Sequence, residues 1–255
     1  MIGELFSLRG RGALVTGAAR GLGEAMALAL AEAGANVAAV DLQPPDAATA
    51  AIAERGVRCA GRRADLSALT PQAAAELLAW ARAELGDVSV LVNNAGMIRR
   101  APAVDAGADE WHAVIALNLT APFLLSQAFA RPLLAGDGSG SIVNVISMNS
   151  FHGGMHVPAY TASKHGLLGL TRALANEWTG QGVRVNGIAP GWMETELTRA
   201  LREDGERYDA LLARMPSGRW GRPDDLAGAV VYLASDASGY VSGGFIAVDG
   251  GYLAR

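Results

Sequence analysis

The chain has 255 residues, 51% of them apolar, and a formal net charge of −4 at pH 7. That length supports one large buried core, while the absence of clustered cations excludes nucleic acid as a partner, since binding a phosphate backbone requires grouped Lys and Arg. A single cysteine, Cys59, excludes an internal disulfide, and the four scattered histidines (112, 152, 156 and 165) lack ligand spacing, so no metal is expected.

Residues 1–11 already carry Glu4, Arg9 and Arg11 and no signal-like apolar run, so the expectation is a cytoplasmic chain. Short apolar runs then recur at 13–16, 36–40, 57–60, 88–93, 141–146, 183–188 and 245–248. Each is nearly continuous rather than alternating, the pattern of strands buried on both faces of a parallel sheet. Helical patterns fill the intervals at 23–32, 47–54, 71–85, 109–134, 159–178 and 223–235. The uncharged stretch 113–130 is long enough to span a bilayer, but Asn118, Thr120, Pro122, Ser126 and Gln127 interrupt it, and it reads as a buried helix with no membrane partner. Gly-Asp-Gly-Ser-Gly at 136–140 predicts a turn. The one long departure from the alternation, 190–222, reads as a substrate loop that closes over a ligand. Together these predict an α/β fold, a single domain over 1–255 built as a Rossmann-type doubly wound sheet of about seven parallel strands with helices on both faces.

Directly after the first strand comes Thr16-Gly17-Ala18-Ala19-Arg20-Gly21-Leu22-Gly23, with a helical pattern behind it. Such glycines allow a tight turn and close approach of a pyrophosphate to the free N–H groups of a helix start; a cluster without that context is as often a plain turn. Asp41 ends the second strand 18 residues beyond Gly23, where a carboxylate accepts ribose hydroxyls and repels a 2′-phosphate. The expected cofactor is therefore NAD. Arg20 pulls the other way, since its cation suits that phosphate, whereas Leu42 and Gln43 add no charge; Asp41 also fits a helix cap or a solvated strand end.

Of the 21 basic residues one alone, Lys164, is lysine, and Tyr160 precedes it by one helical turn. A nearby ammonium stabilises a phenolate, and a phenol so tuned exchanges protons with an alcohol or carbonyl. Ser147 closes the fifth strand, at the sheet end where open α/β sheets bind ligands. Taken alone, the Tyr160 and Lys164 pair also fits an ordinary contact on a helix surface.

Thr-Gly-Ala-Ala-Arg-Gly-Leu-Gly at 16–23, Asn-Asn-Ala-Gly at 93–96, Asn118, Ser147, Tyr-Thr-Ala-Ser-Lys at 160–164 and Pro-Gly-Trp-Met-Glu-Thr at 190–195, in that order, resemble the short-chain dehydrogenase/reductase family of the NAD(P)-dependent type. The resemblance implies Tyr160 as general acid/base, Lys164 as the residue that lowers its pKa and holds the nicotinamide ribose, Ser147 as the group orienting the substrate oxygen, and Asn118 as the anchor of a proton-relaying water. It implies cofactor contacts from Gly17, Arg20, Gly21, Leu22, Gly23, Asp41 and Leu42, from Asp65 and Leu66 at the adenine, from Ala95 and Gly96, and from Pro190, Gly191 and Thr195 at the carboxamide, with Asn93 bracing the fourth strand. It also implies a homotetramer. The stretches at 93–100, 150–164, 175–178 and 246–255 resemble the branch that interconverts hydroxyl and keto groups on gluconates and deoxygluconates. Arg99 and Arg100, at the expected cleft edge, suit a small-molecule sugar-acid carboxylate, or form a solvated loop pair. Asn149, His152, His156 and Trp192 are further substrate candidates, or pack. Competing readings are a 3-oxoacyl thioester reductase and a noncatalytic dinucleotide-sensing protein.

Overall fold

In a computed structural model that describes residues 1–136 and 138–255, and at 197, 200, 202 and 207 the backbone alone, the apolar runs form one sheet of seven parallel strands. These are β1 (Gly12–Thr16), β2 (Asn36–Asp41), β3 (Cys59–Arg63), β4 (Val90–Asn93), β5 (Gly140–Val145), β6 (Val183–Pro190) and β7 (Phe245–Val248), in spatial order β3-β2-β1-β4-β5-β6-β7. The helices are α1 (Ile2–Leu5), α2 (Gly21–Glu32), α3 (Asp46–Ala53), α4 (Pro71–Leu85), α5 (Ala108–Ile115), α6 (Ala121–Leu134), α7 (Pro158–Trp178), α8 (Arg199–Glu203), α9 (Gly205–Leu212) and α10 (Ala227–Ala234).

All five residues of β1 are buried, which is why its sequence shows no polar alternation. Met26 and Leu30 of α2 pack on one sheet face with Ile52 of α3 and with Val230 and Leu233 of α10. On the other face Leu77 and Leu78 of α4 meet Leu125 and Phe129 of α6 and Leu174 and Trp178 of α7. A third cluster, Met148, Leu201, Met215, Trp220 and Tyr252, lies apart from both and joins the 190–222 segment to the C-terminal tail.

Three elements differ from the sequence reading. Strand β3 begins two residues later and ends on exposed Arg62 and Arg63, because at a sheet edge one face meets water and hydropathy no longer marks the strand. The helix expected over 109–134 is broken at Ala116–Thr120 by a π turn centred on buried Asn118. By length and composition alone Ala108–Leu134 could cross a membrane; it forms part of a helical layer on the sheet instead. The 190–222 segment carries α8 and α9 and is not structureless. Of the turn expected at 136–140, Asp137 lies outside the described residues.

Candidate active site

Because β1 pairs with β2 on one side and β4 on the other, chain crossovers leave its carboxyl end toward opposite faces and open a crevice there. Thr16 pins that crevice: its Oγ1 donates to Val92 O (3.2 Å) and accepts from the N–H groups of Asn94 (3.0 Å) and Ala95 (3.1 Å). Asn94 Nδ2 donates in return to the carbonyls of Thr16 (2.9 Å) and Gly17 (3.0 Å). Gly17 has φ 65°, and a Cβ on Gly23 would overlap the Gly17 carbonyl, so the loop and the first turn of α2 touch backbone to backbone. No side chain caps α2, whose N-cap is Arg20, leaving the N–H groups around Gly21 and Leu22 for an anion.

Asp41 closes this end. Its Oδ2 accepts from Ala19 N (3.0 Å) and its Oδ1 from Gln43 N (3.0 Å). The sheet also brings Arg63 into register with Asp41, with its Nε donating to Leu42 O (3.0 Å), so a cation that the chain neighbours lack arrives from β3. Asp65 caps the turn that begins at Leu66, accepting from Ser67 N (2.8 Å) and Ser67 Oγ (2.7 Å), and those hydrogen bonds hold its carboxyl below the usual range. The glycine cradle, the uncapped helix start and the strand-end carboxylate are together the donor and acceptor set a dinucleotide requires. Asn93 sits behind the cleft: its Nδ2 donates to Asn144 Oδ1 (2.8 Å), and Asn144 Nδ2 to Thr171 Oγ1 (2.9 Å), a buried amide ladder linking β4, β5 and α7.

At the other end Ser147 follows β5 by two residues and caps the turn Met148–Ser150, its Oγ accepting from Asn149 N (3.1 Å). Ser150 Oγ donates to Lys164 O (2.8 Å) and fastens this turn to α7. Tyr160 and Lys164 lie one turn apart on α7, with Lys164 Nζ 5.8 Å from the phenol ring centre. Lys164 is buried and donates to Val145 O (2.7 Å); burial pulls its pKa down to about 8. Burial pushes the Tyr160 phenol up, and the Ser147 hydroxyl and the positive charge of Arg100 act against that rise. Arg100 adds a positive charge that favours the phenolate, and Lys164, one helical turn from the phenol, is held by the strand carbonyl of Val145. Asn118 lies off the cleft with both polar atoms of its side chain engaged: Oδ1 accepts from Met97 N (2.9 Å), and Nδ2 donates to Met97 O (2.9 Å) and Ser163 Oγ (3.1 Å).

One cleft of 1530 Å³ runs from Asp41 to Trp192. It is bordered by every site residue read from the sequence apart from Asn93, Asn118 and His156: the loop from Gly17 to Gly23, Leu42, Asp65 and Leu66, Ala95 and Gly96, Arg99 and Arg100, Ser147, Asn149 and His152, Tyr160 and Lys164, Pro190, Gly191 and Thr195. His156 adopts φ 60° and its carbonyl accepts from Ala101 N (3.0 Å), holding the loop. Trp192 packs on Trp220 with ring centres 5.6 Å apart, which makes it part of the third cluster as well as of the cleft wall. The cleft also takes in Glu194, Arg214 and Tyr252, which spacing and motif did not single out, and Asn94 enters the loop geometry through both its backbone N–H and its side chain. The neighbouring glycines, as in Asn-Asn-Ala-Gly, were the one available signal for Asn94.

A family model described as Enoyl-(Acyl carrier protein) reductase matches residues 17–253. The 2-dehydro-3-deoxy-D-gluconate 5-dehydrogenase of Escherichia coli (strain K12) is 47% identical over 255 residues, covering 100% of each chain. The chain belongs to the short-chain dehydrogenase/reductase family. As a short-chain dehydrogenase/reductase it is an oxidoreductase on a dinucleotide-binding fold. Solved structures similar to it include a gluconate 5-dehydrogenase from Burkholderia cenocepacia J2315 in complex with NADP and tartrate, 36% identical, TM-score 0.93, with 100% of both chains covered. A candidate 2-deoxy-D-gluconate 3-dehydrogenase from Agrobacterium tumefaciens with bound NADP is 47% identical, TM-score 0.92, covering 98% of this chain and 99% of that one.

Proposed function

We propose that this short-chain dehydrogenase/reductase uses NAD(H) to interconvert a secondary alcohol and a ketone on a (deoxy)sugar acid such as 2-dehydro-3-deoxy-D-gluconate or 2-deoxy-D-gluconate. The observation that carries the reading is the convergence of the Tyr160 phenol, the Ser147 hydroxyl and the Arg100 charge in one cleft with the glycine cradle. Names of relatives such as the 2-dehydro-3-deoxy-D-gluconate 5-dehydrogenases support the substrate class.

In oxidation the Tyr160 phenolate takes the hydroxyl proton as the carbinol C–H bond breaks and the C=O bond forms; Ser147 holds the same oxygen. A nicotinamide held by the glycine cradle would supply the acceptor for the hydride of that C–H bond, and the hydride donor in reduction. Lys164, with a pKa of about 8, holds or yields a proton at neutral pH. The side-chain amide of Asn118 is fully used, so the anchoring of a relay water falls to its backbone in the π turn. At least one of Arg99 and Arg100 supplies a guanidinium fork to the substrate carboxylate. Asp41 keeps acceptor capacity on both oxygens beyond its two backbone bonds, which favours NAD, and Arg20 and Arg63 are the opposing charges.

The 195–219 segment closes over the substrate, and ligand-dependent protection from protease reports that closure. We also place the enzyme in the cytoplasm as a homotetramer. Exposed Trp111 and Phe123 on α5 and α6 and exposed Phe245 on edge strand β7 are the apolar surfaces such an assembly covers; light scattering after size exclusion tests it.

A panel of sugar acids and their keto forms with NAD(H), followed at 340 nm, tests the substrate class. Turnover of a sugar acid is expected. Turnover confined to an acyl thioester would replace the reading with a thioester reductase, and binding of the coenzyme without any turnover would favour a dinucleotide sensor.

A further inference from the structure

Resting on the sugar-acid reading above, we propose that the substrate carboxylate bridges Arg100 on the body of the protein and Arg214 on the 190–222 segment, and that Tyr252 is the positioning residue that presents Arg214. Arg214 borders the same cleft as Tyr160 and follows α9 by two residues. Its guanidinium carbon lies 4.9 Å from the Tyr252 ring centre, and among the described residues it enters no ion pair or side-chain hydrogen bond. Stacking occupies a guanidinium face and leaves the N–H donors in its plane available, which is the geometry a carboxylate fork accepts. A carboxylate has lone pairs enough for two such forks at once.

The ring that carries Arg214 is itself held from the tail. Tyr252 is buried, and it also meets the His152 ring at 5.8 Å, which ties the tail to the loop between Ser147 and Tyr160. Asp249 builds the turn under Tyr252, with Oδ1 accepting from Gly251 N (2.9 Å) and Oδ2 from Leu253 N (2.8 Å). Ser217 N donates to Gly250 O (2.9 Å), and Arg255 Nη1 donates to Ala213 O (3.1 Å), next to Arg214. Gly251 has φ 86° and a Cβ there would stand 3.1 Å from Pro216 Cγ, so tail and segment sit against each other with no room for a side chain. A ligand joining Arg100 to Arg214 therefore draws the segment, tail and catalytic loop together, and an uncharged polyol has nothing to place between the two forks.

The test compares wild type with Arg214→Gln, Tyr252→Phe and Tyr252→Ala in the full-length protein, using the best sugar acid of the panel. Arg214→Gln should raise KM for the acid at least tenfold while kcat falls less than threefold and the NADH dissociation constant, read by fluorescence, stays within twofold. It should also abolish protection of the 199–214 region from protease by that acid. Tyr252→Phe keeps the ring and should behave as wild type; Tyr252→Ala should reproduce the Arg214→Gln KM. A KM within twofold of wild type in Arg214→Gln overturns the bridge while leaving the sugar-acid reading intact, and a Tyr252→Phe as impaired as Tyr252→Ala overturns the stacking role. Wild type inactive on every sugar acid would overturn both.

Discussion

At its dinucleotide end the cleft is built from backbone and the smallest side chains, Gly17, Gly21, Gly23, Ala95 and Gly96, whereas its other end is lined by Trp192 and Tyr252 and by arginines 100 and 214. The first surface exists because Cβ atoms are missing where chain meets chain; the second exists because three separate segments bring large groups to one place. A backbone-made site depends on local spacing, and at Gly17 and Gly23 an added Cβ would run into neighbouring backbone. A side-chain-made site depends on tertiary meeting, and its residues can be exchanged one by one to change what binds.

The variants that break this contrast differ in size of effect. Tyr160 stands where the two ends meet, and Tyr160→Phe should lower kcat on the order of 10³-fold, as expected for loss of a general acid/base, with NADH fluorescence titrating as in wild type. At the backbone end, Asp41→Ser removes the repulsion of a 2′-phosphate and should shift the ratio of kcat/KM for NAD over NADP toward NADP by at least tenfold, helped by Arg20 and Arg63. At the side-chain end, Arg100→Gln should raise KM for the acid several-fold and, because Arg100 opposes the upward shift of the phenol, move the alkaline limb of the oxidation rate to higher pH. The smallest effect belongs to the base of the 190–222 segment. There Arg219 grips Asp225 through two contacts of 2.7 and 2.9 Å and Arg222 N donates a third of 2.7 Å, which hold the Asp225 carboxyl at about 2. A depressed carboxyl stabilises above its unfolded pKa and loses that contribution as pH falls toward 2. The pair is largely exposed, so Asp225→Asn should lower Tm by only about 2–4 °C at pH 7, a difference that calorimetry should find vanishing near pH 2.

The same contrast explains what the amino-acid sequence made legible. Gly17, Gly23 and Asp41 could be read because each answers to its own neighbours along the chain, and Tyr160 with Lys164 because a helix period places them on one face. The direction of Lys164 could not be read, since Val145 O, which it meets, belongs to another element. Nor could the π turn at Asn118, whose side chain meets the Met97 backbone 21 residues away. Arg63 joins the surroundings of Asp41 only through sheet register, and Arg214 with Tyr252 only through a contact across 38 residues. Strand β3 was displaced by two residues for the related reason that edge position, and not sequence pattern, decides which of its side chains meet water.

The pH dependence of kcat/KM in both directions, measured on wild type beside Tyr160→Phe, tests the central claim that the Tyr160 phenol carries the proton. Because burial raises the phenol, oxidation should climb with pH through neutrality, at most about tenfold per unit, while reduction stays level and falls only on the alkaline side. The Tyr160→Phe residual rate should show neither limb. An oxidation rate that is flat or falling from neutral to alkaline pH, or the same limb surviving in Tyr160→Phe, would contradict the account.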